Sequence, residues 1–280
     1  MTAADSLGDR MKVYEARETE RVAMPTLPLY ARLDGRNFHA FTRGMDAPFD
    51  KRFAEVMVEV TRFLVARTLP LIGYTQSDEI SLAWMQKRSD SQLLFGGRLF
   101  KITSCLASLA TARFLQLAQE IWPTRCQKTI PTFDARCFSL PNREELANMF
   151  LWRERDATKN AVSMATHSYY GPKELDRKSG PAMQEMLFAK GVNFNDYHTH
   201  FKRGTFCRHR VITRELTAEE IARIPPQYRP AAPVALQRTE IVTIDMPSFD
   251  TVTNRADVIC DGAEPISVTK EDDVTEEAFK

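Results

Sequence analysis

Two acidic sites well apart in the chain, Asp34 and the adjacent pair Asp78-Glu79, are the residues of this 280-residue sequence best suited to do chemistry. Carboxylate oxygens are hard donors that suit magnesium. Two such ions a few ångströms apart align an attacking hydroxyl with a phosphate and stabilise both the entering and the leaving oxygen. Asp34 runs straight into Gly35-Arg36-Asn37-Phe38-His39. Glycine there lets backbone approach a ligand, and successive N–H groups in such a bend can cradle a triphosphate. Arg98 and Lys101 share one helical face and would add two cations, provided their helix starts beside the acidic pair.

Each half has a plainer reading alone. Asp-Gly is a strong hairpin signal, yet residues 36–50 form no complementary alternating strand and lead to a helix. Asp78-Glu79 by itself reads as solvated turn carboxylates. The pair together is what points to a site, and it does so only if the intervening elements bring both to one sheet edge.

Those elements are legible. In Leu29 to Asp34, Leu29, Ala31 and Leu33 fall on one side at period two, and Tyr30, Arg32 and Asp34 on the other, which predicts a strand ending in a carboxylate. Val56, Met57, Val60, Phe63 and Leu64 have helical spacing, with Asp50 as the expected cap and Pro70 as the stop. Ile80, Leu82 and Trp84 alternate with Glu79, Ser81 and Ala83, so residues 71–84 predict two short strands around Gln76-Ser77-Asp78-Glu79. A longer helix follows with Ile102, Leu106, Leu109, Ala110, Phe114 and Leu117 as its stripe, then a strand over 129–140, a helix over about 143–165 and a strand over 205–213. An N-terminal surface helix is expected over 9–20. The order predicts an α+β fold: a ferredoxin-like or palm-type antiparallel sheet with helices on one face. The expected division is a catalytic unit over 1–220 and a C-terminal extension over 221–280, with a disordered acidic tail.

Composition excludes several classes. Thirty-eight basic against 37 acidic residues leave a net charge of +1, so there is no global field for indiscriminate nucleic-acid binding. No stretch reaches the length of a membrane span, and the polar start lacks a secretion signal, which predicts a cytoplasmic protein with no membrane partner. Five scattered cysteines without a Cys-x-x-Cys pair argue against disulfides and zinc. His198, His200, Cys207 and His209 lack zinc spacing and are expected on an exposed basic loop. Lys202, Arg203, Arg208 and Arg210, interleaved with Phe201 and Phe206, could grip an RNA backbone and stack on a base.

The runs Arg32-Leu-Asp-Gly-Arg-Asn-Phe-His39 and Gln76-Ser-Asp-Glu79 resemble the signature pair of the tRNA-histidine guanylyltransferase family, including its bacterial and archaeal guanylyltransferase-like branch. Asp9-Arg-Met-Lys-Val-Tyr-Glu15, Phe133-Asp-Ala-Arg136, Trp152-Arg153 with Asp156, Gly191-Val-Asn-Phe-Asn195 and Arg203-Gly-Thr205 resemble further family blocks in order. The resemblance implies a palm fold, two Mg2+ ions, ATP or GTP as substrates, and growth of a tRNA at its 5′ end in the 3′-to-5′ direction by a homotetramer. It implies that Asp34, the Gly35 carbonyl and Asp78 hold the metals, with Glu79 close by and Ser77 a weaker catalytic candidate. It likewise implies nucleotide binding by Gly35, Arg36, Asn37, Phe38, His39, Asp50, Arg98 and Lys101.

Eukaryotic members carry Lys-Pro-Asn-Asp where this chain has Ala47-Pro-Phe-Asp50. Members specialised for tRNA-histidine carry His-Ile-Asn-Asn where it has Thr158-Lys159-Asn160-Ala161. The resemblance therefore favours template-directed repair of 5′-truncated tRNAs over histidine-specific guanylate addition, with Lys159, Asn160, Lys202 and Arg203 as RNA contacts. The competing readings are a palm-type nucleotide cyclase and a non-catalytic RNA-binding protein.

Overall fold

The computed structural model describes residues 6–86, 91–230 and 235–268. Helix α1 (Ser6–Thr19) buries no side chain. Strand β1 (Leu29–Arg36) leads through α2 (Phe38–Thr42) to α3 (Lys51–Thr68). The carboxylate of Asp50 caps α3, accepting from the amides of Arg52 and Phe53. Leu69, left-handed at φ 49°, ends the helix just before Pro70. Strands β2 (Ile72–Gln76) and β3 (Glu79–Trp84) form a hairpin whose turn is Ser77-Asp78. Then come α4 (Leu99–Ile121), α5 (Pro123–Lys128), β4 (Thr132–Ser139) and α6 (Arg143–His167). The remainder is α7 (Pro172–Leu175), α8 (Gly180–Ala189), α9 (Thr199–Arg203), β5 (Thr205–Glu215), α10 (Ala218–Arg223), β6 (Ala235–Ile244) and α11 (Arg255–Cys260).

The strands form one antiparallel sheet in the order β4-β1-β3-β2-β5-β6. The α+β class expected from the sequence is therefore present, with β4-β1-β3-β2 as its ferredoxin-like part. Alternate residues of each strand face opposite sides. Leu29, Ala31, Leu33, Ile80, Leu82 and Trp84 pack on α3 and α4. Tyr30, Tyr74, Ala83 and Phe206 pack on α6 and the α11 region.

The expectation of helices on a single face needs correction, because α6 covers much of the second. The physical reason is that Tyr30, Tyr74 and Phe206 are large, and each is at most 1% exposed only because α6 and the chain beyond β6 cover them. Nor is the stretch after residue 220 merely an appendage to the core: β6 pairs with β5 along ten residue pairs, and Phe249, Val252, Val258 and Ile259 belong to the core under α6. The expected disordered tail lies outside the described residues beyond 268.

Candidate active site

The antiparallel register fixes the site. Asp34 stands opposite Glu79 on β3 and opposite Asp134 on β4, at the same end of the sheet as the β2–β3 turn. Asp78 in that turn lies against Gly35: a Cβ added at Gly35 would sit 2.6 Å from Asp78 Oδ2 and 2.5 Å from the Phe38 ring. Gly35 is required here by close approach of a carboxylate. Ser77, held at φ 47°, donates its hydroxyl to Asp78 Oδ1 at 3.2 Å. Burial pushes the Asp78 carboxyl above its usual range, and the charge of Asp34 pushes the same way.

Two like charges thus converge, and among the described residues no cation pairs with Asp78. Asp34 has a half-exposed Arg136 at 4.0 Å and Asp78 has no such partner among the described residues, so an oxygen-only donor set with incompletely compensated charge fits a hard divalent cation, and the residues present suit magnesium.

Glu79 is engaged elsewhere. Its two carboxylate oxygens accept from Arg153 Nε and Nη2, both at 2.7 Å, and both side chains are at most 7% exposed. Burial raises the Glu79 carboxyl against the pull of that guanidinium. Because both oxygens accept N–H bonds, the pair is ionised, and Glu79 is a partner of Arg153 rather than a free ligand. Arg153 also donates to Asp156, one turn along α6, at 2.9 Å, while its two bonds to Glu79 tie α6 to the hairpin.

A cleft of about 870 Å³ opens beside the acidic end. It is lined by Asp34, Ser77, Asp78 and Glu79 at one end, and by Met45, Phe49, Met164 and Phe201 elsewhere. Phe49 and Phe201 stack at 4.9 Å with planes 6° apart. An anionic end and an aromatic end in one cleft match the two ends of a metal-bound nucleotide.

Other candidate residues fall variously. Asp50 lines the cleft, but its carboxylate is occupied by capping and by Arg52 Nη2 at 2.7 Å. Burial would raise it, yet the bonds from Arg52 and the amides of Phe53 and Asp46 hold it below the ordinary range. Arg36 at the end of β1, Asn37 and His39 in the first turn of α2 are exposed just after Asp34, with Asn37 left-handed at φ 66°. Phe38 is not available as a side-chain ligand: it is 3% exposed and packs on Phe114 and Phe133 at 4.8 and 5.0 Å, because the short helix α2 turns it inward.

Arg98 and Lys101 are not brought to the site within the chain. The helix α4 starts at the opposite end of the sheet, where Arg98 bridges Val22, and reaches the site end only near Phe114, against Phe38. The reason is chain direction, since β3 runs away from the turn before α4 begins.

Lys159 and Asn160 are exposed on α6. They neighbour Lys202 and Arg203 on α9, to which Thr158 is bonded through Lys202 O at 3.0 Å. The expected basic loop over 198–210 is instead α9 and β5. Phe206 is 1% and Arg208 4% exposed, so neither can grip RNA: both are packed between the sheet and the chain beyond β6. Arg153 and Asp134 were not singled out as site residues in the sequence. Their only signal was membership of the blocks Trp152-Arg153…Asp156 and Phe133-Asp-Ala-Arg136, and pairing of β4 with β1 is a tertiary event.

A ferredoxin-like sheet with paired acidic residues at one edge and a nucleotide-sized cleft beside them defines a palm-type nucleotidyltransferase. Comparison with known proteins agrees. Residues 8–141 match the family model for tRNAHis guanylyltransferase, Thg1. A solved bacterial tRNA(His) guanylyltransferase (Thg1)-like protein in complex with ATP is 36% identical, with TM-score 0.67 over 75% of this chain and 87% of that one. A bacterial Thg1-like protein in complex with GTP is 30% identical, with TM-score 0.67 over 88% and 94%. The tRNA(His) guanylyltransferase of Eremothecium gossypii is 27% identical over 72% of this chain and 90% of its own length. The chain belongs to the tRNAHis guanylyltransferase (Thg1) family of nucleotidyltransferases.

Proposed function

We propose that this protein is a magnesium-dependent enzyme that adds nucleotides to tRNA 5′ ends in the 3′-to-5′ direction, repairing 5′-truncated tRNAs. The observation that carries this reading is the convergence of Asp34 and Asp78 on Gly35, with Glu79 held aside by Arg153. Asp34, Asp78 and the Gly35 carbonyl would hold two magnesium ions. Bound there, the metal supplies polarisation of phosphoryl oxygens and alignment of an attacking hydroxyl.

The chain's own work is positional. Both reacting groups belong to the substrates, so no protein nucleophile is needed. The cleft with Phe49 and Phe201 would seat the base of ATP or GTP, in keeping with the nucleotides bound by the two bacterial Thg1-like structures. Arg36, Asn37 and His39 would lie along the triphosphate. Lys159, Asn160, Lys202 and Arg203 would contact the tRNA. The family resemblance extends the proposal to a cytoplasmic homotetramer.

The test is incubation with labelled nucleoside triphosphates, Mg2+ and a tRNA lacking its first 5′ nucleotide. Extension is expected in the wild type. Asp78→Asn should slow it by about 10²–10³-fold while keeping RNA affinity. Absence of extension with any tRNA would defeat the proposal. A cyclic nucleotide formed without RNA would favour the cyclase reading.

A further inference from the structure

The second sheet face is only partly covered. α6 lies over β2 and β3, while the β1–β4 half carries three cross-strand rows: Tyr30 with Phe138, Arg32 with Arg136, and Asp34 with Asp134. Phe138 is 37% exposed and leans on Tyr30 at 5.6 Å. Trp152, projecting from α6, is 50% exposed. Its indole is fixed by two guanidinium groups, Arg153 at 4.5 Å and Arg32 at 5.8 Å from the ring centroid. Large aromatics are ordinarily well buried, so a half-exposed indole held by two cations is preorganised surface rather than core. Arg136 stands in the row beside Arg32, with its side chain 54% exposed and Nη2 4.0 Å from Asp34 Oδ2.

None of Trp152, Arg136 and Phe138 lines the nucleotide cleft, although Arg32 and Arg153, which hold the indole, do. Asp34 thus adjoins two surfaces that share Arg32 and Arg153: a cleft sized for a nucleotide, and an aromatic–arginine platform.

We propose that this platform seats the 5′-terminal nucleotide of the acceptor RNA, its base stacked on Trp152 and its 5′ phosphate held by Arg136 next to Asp34. The assignment rests on the proposed 5′-end transfer and says where the acceptor enters. Exposed aromatics and arginine planes are what unpaired or terminal bases stack on, and arginine is suited to a phosphate. A phosphate drawn to Arg136 arrives within a few ångströms of the carboxylate pair, as an attack by a nucleotide lying in the cleft requires. Arg136 and Trp152 act by holding the acceptor.

The experiment uses the full chain and a loop-labelled RNA minihelix bearing either a 5′ phosphate or a 5′ hydroxyl, with binding read by fluorescence anisotropy. Trp152→Ala should weaken binding by about ten- to a hundredfold, and Trp152→Phe by much less. Arg136→Gln should abolish the wild-type preference for the phosphorylated end. ATP affinity, measured on the same samples, should stay within about twofold of wild type in all three, which separates this surface from the cleft.

Unchanged RNA affinity in Trp152→Ala, or ATP affinity lost along with RNA affinity in Trp152→Phe, would overturn the proposal. If RNA binds through Trp152 but the wild type transfers no nucleotide, the transferase reading fails and the platform stands. If the wild type extends RNA and Trp152→Ala binds it normally, only the platform fails.

Discussion

The two faces of the central sheet are built from the same strands, residue by residue, yet they behave as different materials. On one, Leu29, Ala31 and Leu33 of β1 meet Ile80, Leu82 and Trp84 of β3 under α3 and α4, and the contacts are apolar apart from the Trp84 indole's bond to the Thr68 carbonyl. On the other, the sequence grades along β1 from Tyr30 through Arg32 to Asp34, and along β3 from Ala83 through Ser81 to Glu79. Tyr30 and Ser81 share a hydrogen bond of 2.6 Å, and one row further Glu79 takes both N–H bonds from Arg153. The first face holds the fold together by area removed from water. The second gives up apolar contact, step by step, to fix charged groups near the edge where Asp34 and Asp78 converge. Burying an ion pair seldom adds stability over apolar packing; what it adds here is position.

That contrast can be broken most severely at Arg153. Arg153→Ala would leave the buried Glu79 carboxylate without its hydrogen-bonded partner and with only Arg32 at 4.0 Å, costing about 3–5 kcal/mol in chemical denaturation. The double change Glu79→Leu with Arg153→Met should recover most of that stability while still impairing nucleotidyl transfer. Recovery of both would show that the pair is merely structural.

On the apolar face Leu82→Ala should cost about 2–5 kcal/mol in the same measurement, through lost transfer energy and a cavity. Its ATP affinity should be unchanged under conditions where the variant is folded.

The mildest probe is Glu154, also on the α6 side and 3% exposed, which accepts from Phe249 N at 2.7 Å. Burial pushes its carboxyl up to about 7, against the hydrogen bond from that amide and the charge of Arg203. Since the folded state holds this proton more tightly than the unfolded chain, its contribution is complete below about pH 4.5 and is lost as pH rises toward 7. Glu154→Gln should flatten that window, removing about 2 kcal/mol of pH dependence. A wild-type stability curve identical to that of the variant between pH 5 and 7.5 would contradict the assignment.

Much of the architecture was readable from local pattern, because side-chain alternation and helical spacing are local. The period-two split of β1, the Asp50 cap, the Ser77-Asp78 turn and the stripe of α4 all appear as expected. The acidic residues were legible too, since Asp34 and Asp78 are brought to one sheet edge by a β-α-β-β connection whose order is written in the chain.

What was not legible depended on direction and on distant packing. Arg98 and Lys101 have the right charge, but β3 carries the chain to the far end of the sheet before their helix starts. Phe206 and Arg208 looked like an RNA-facing pair until the residues after β6 covered them. Glu79 was expected close by the metal-holding groups, and only the docking of α6 showed that Arg153 occupies both its oxygens.

By itself the sequence determined the first five strands, the longer helices that cover them and the identity of the acidic residues, because these follow from spacing along one chain. Only the tertiary structure decided which charges are free and which are paired, because a carboxylate's partner is chosen by whatever side chain packing brings within hydrogen-bond reach, however far away in the sequence it lies.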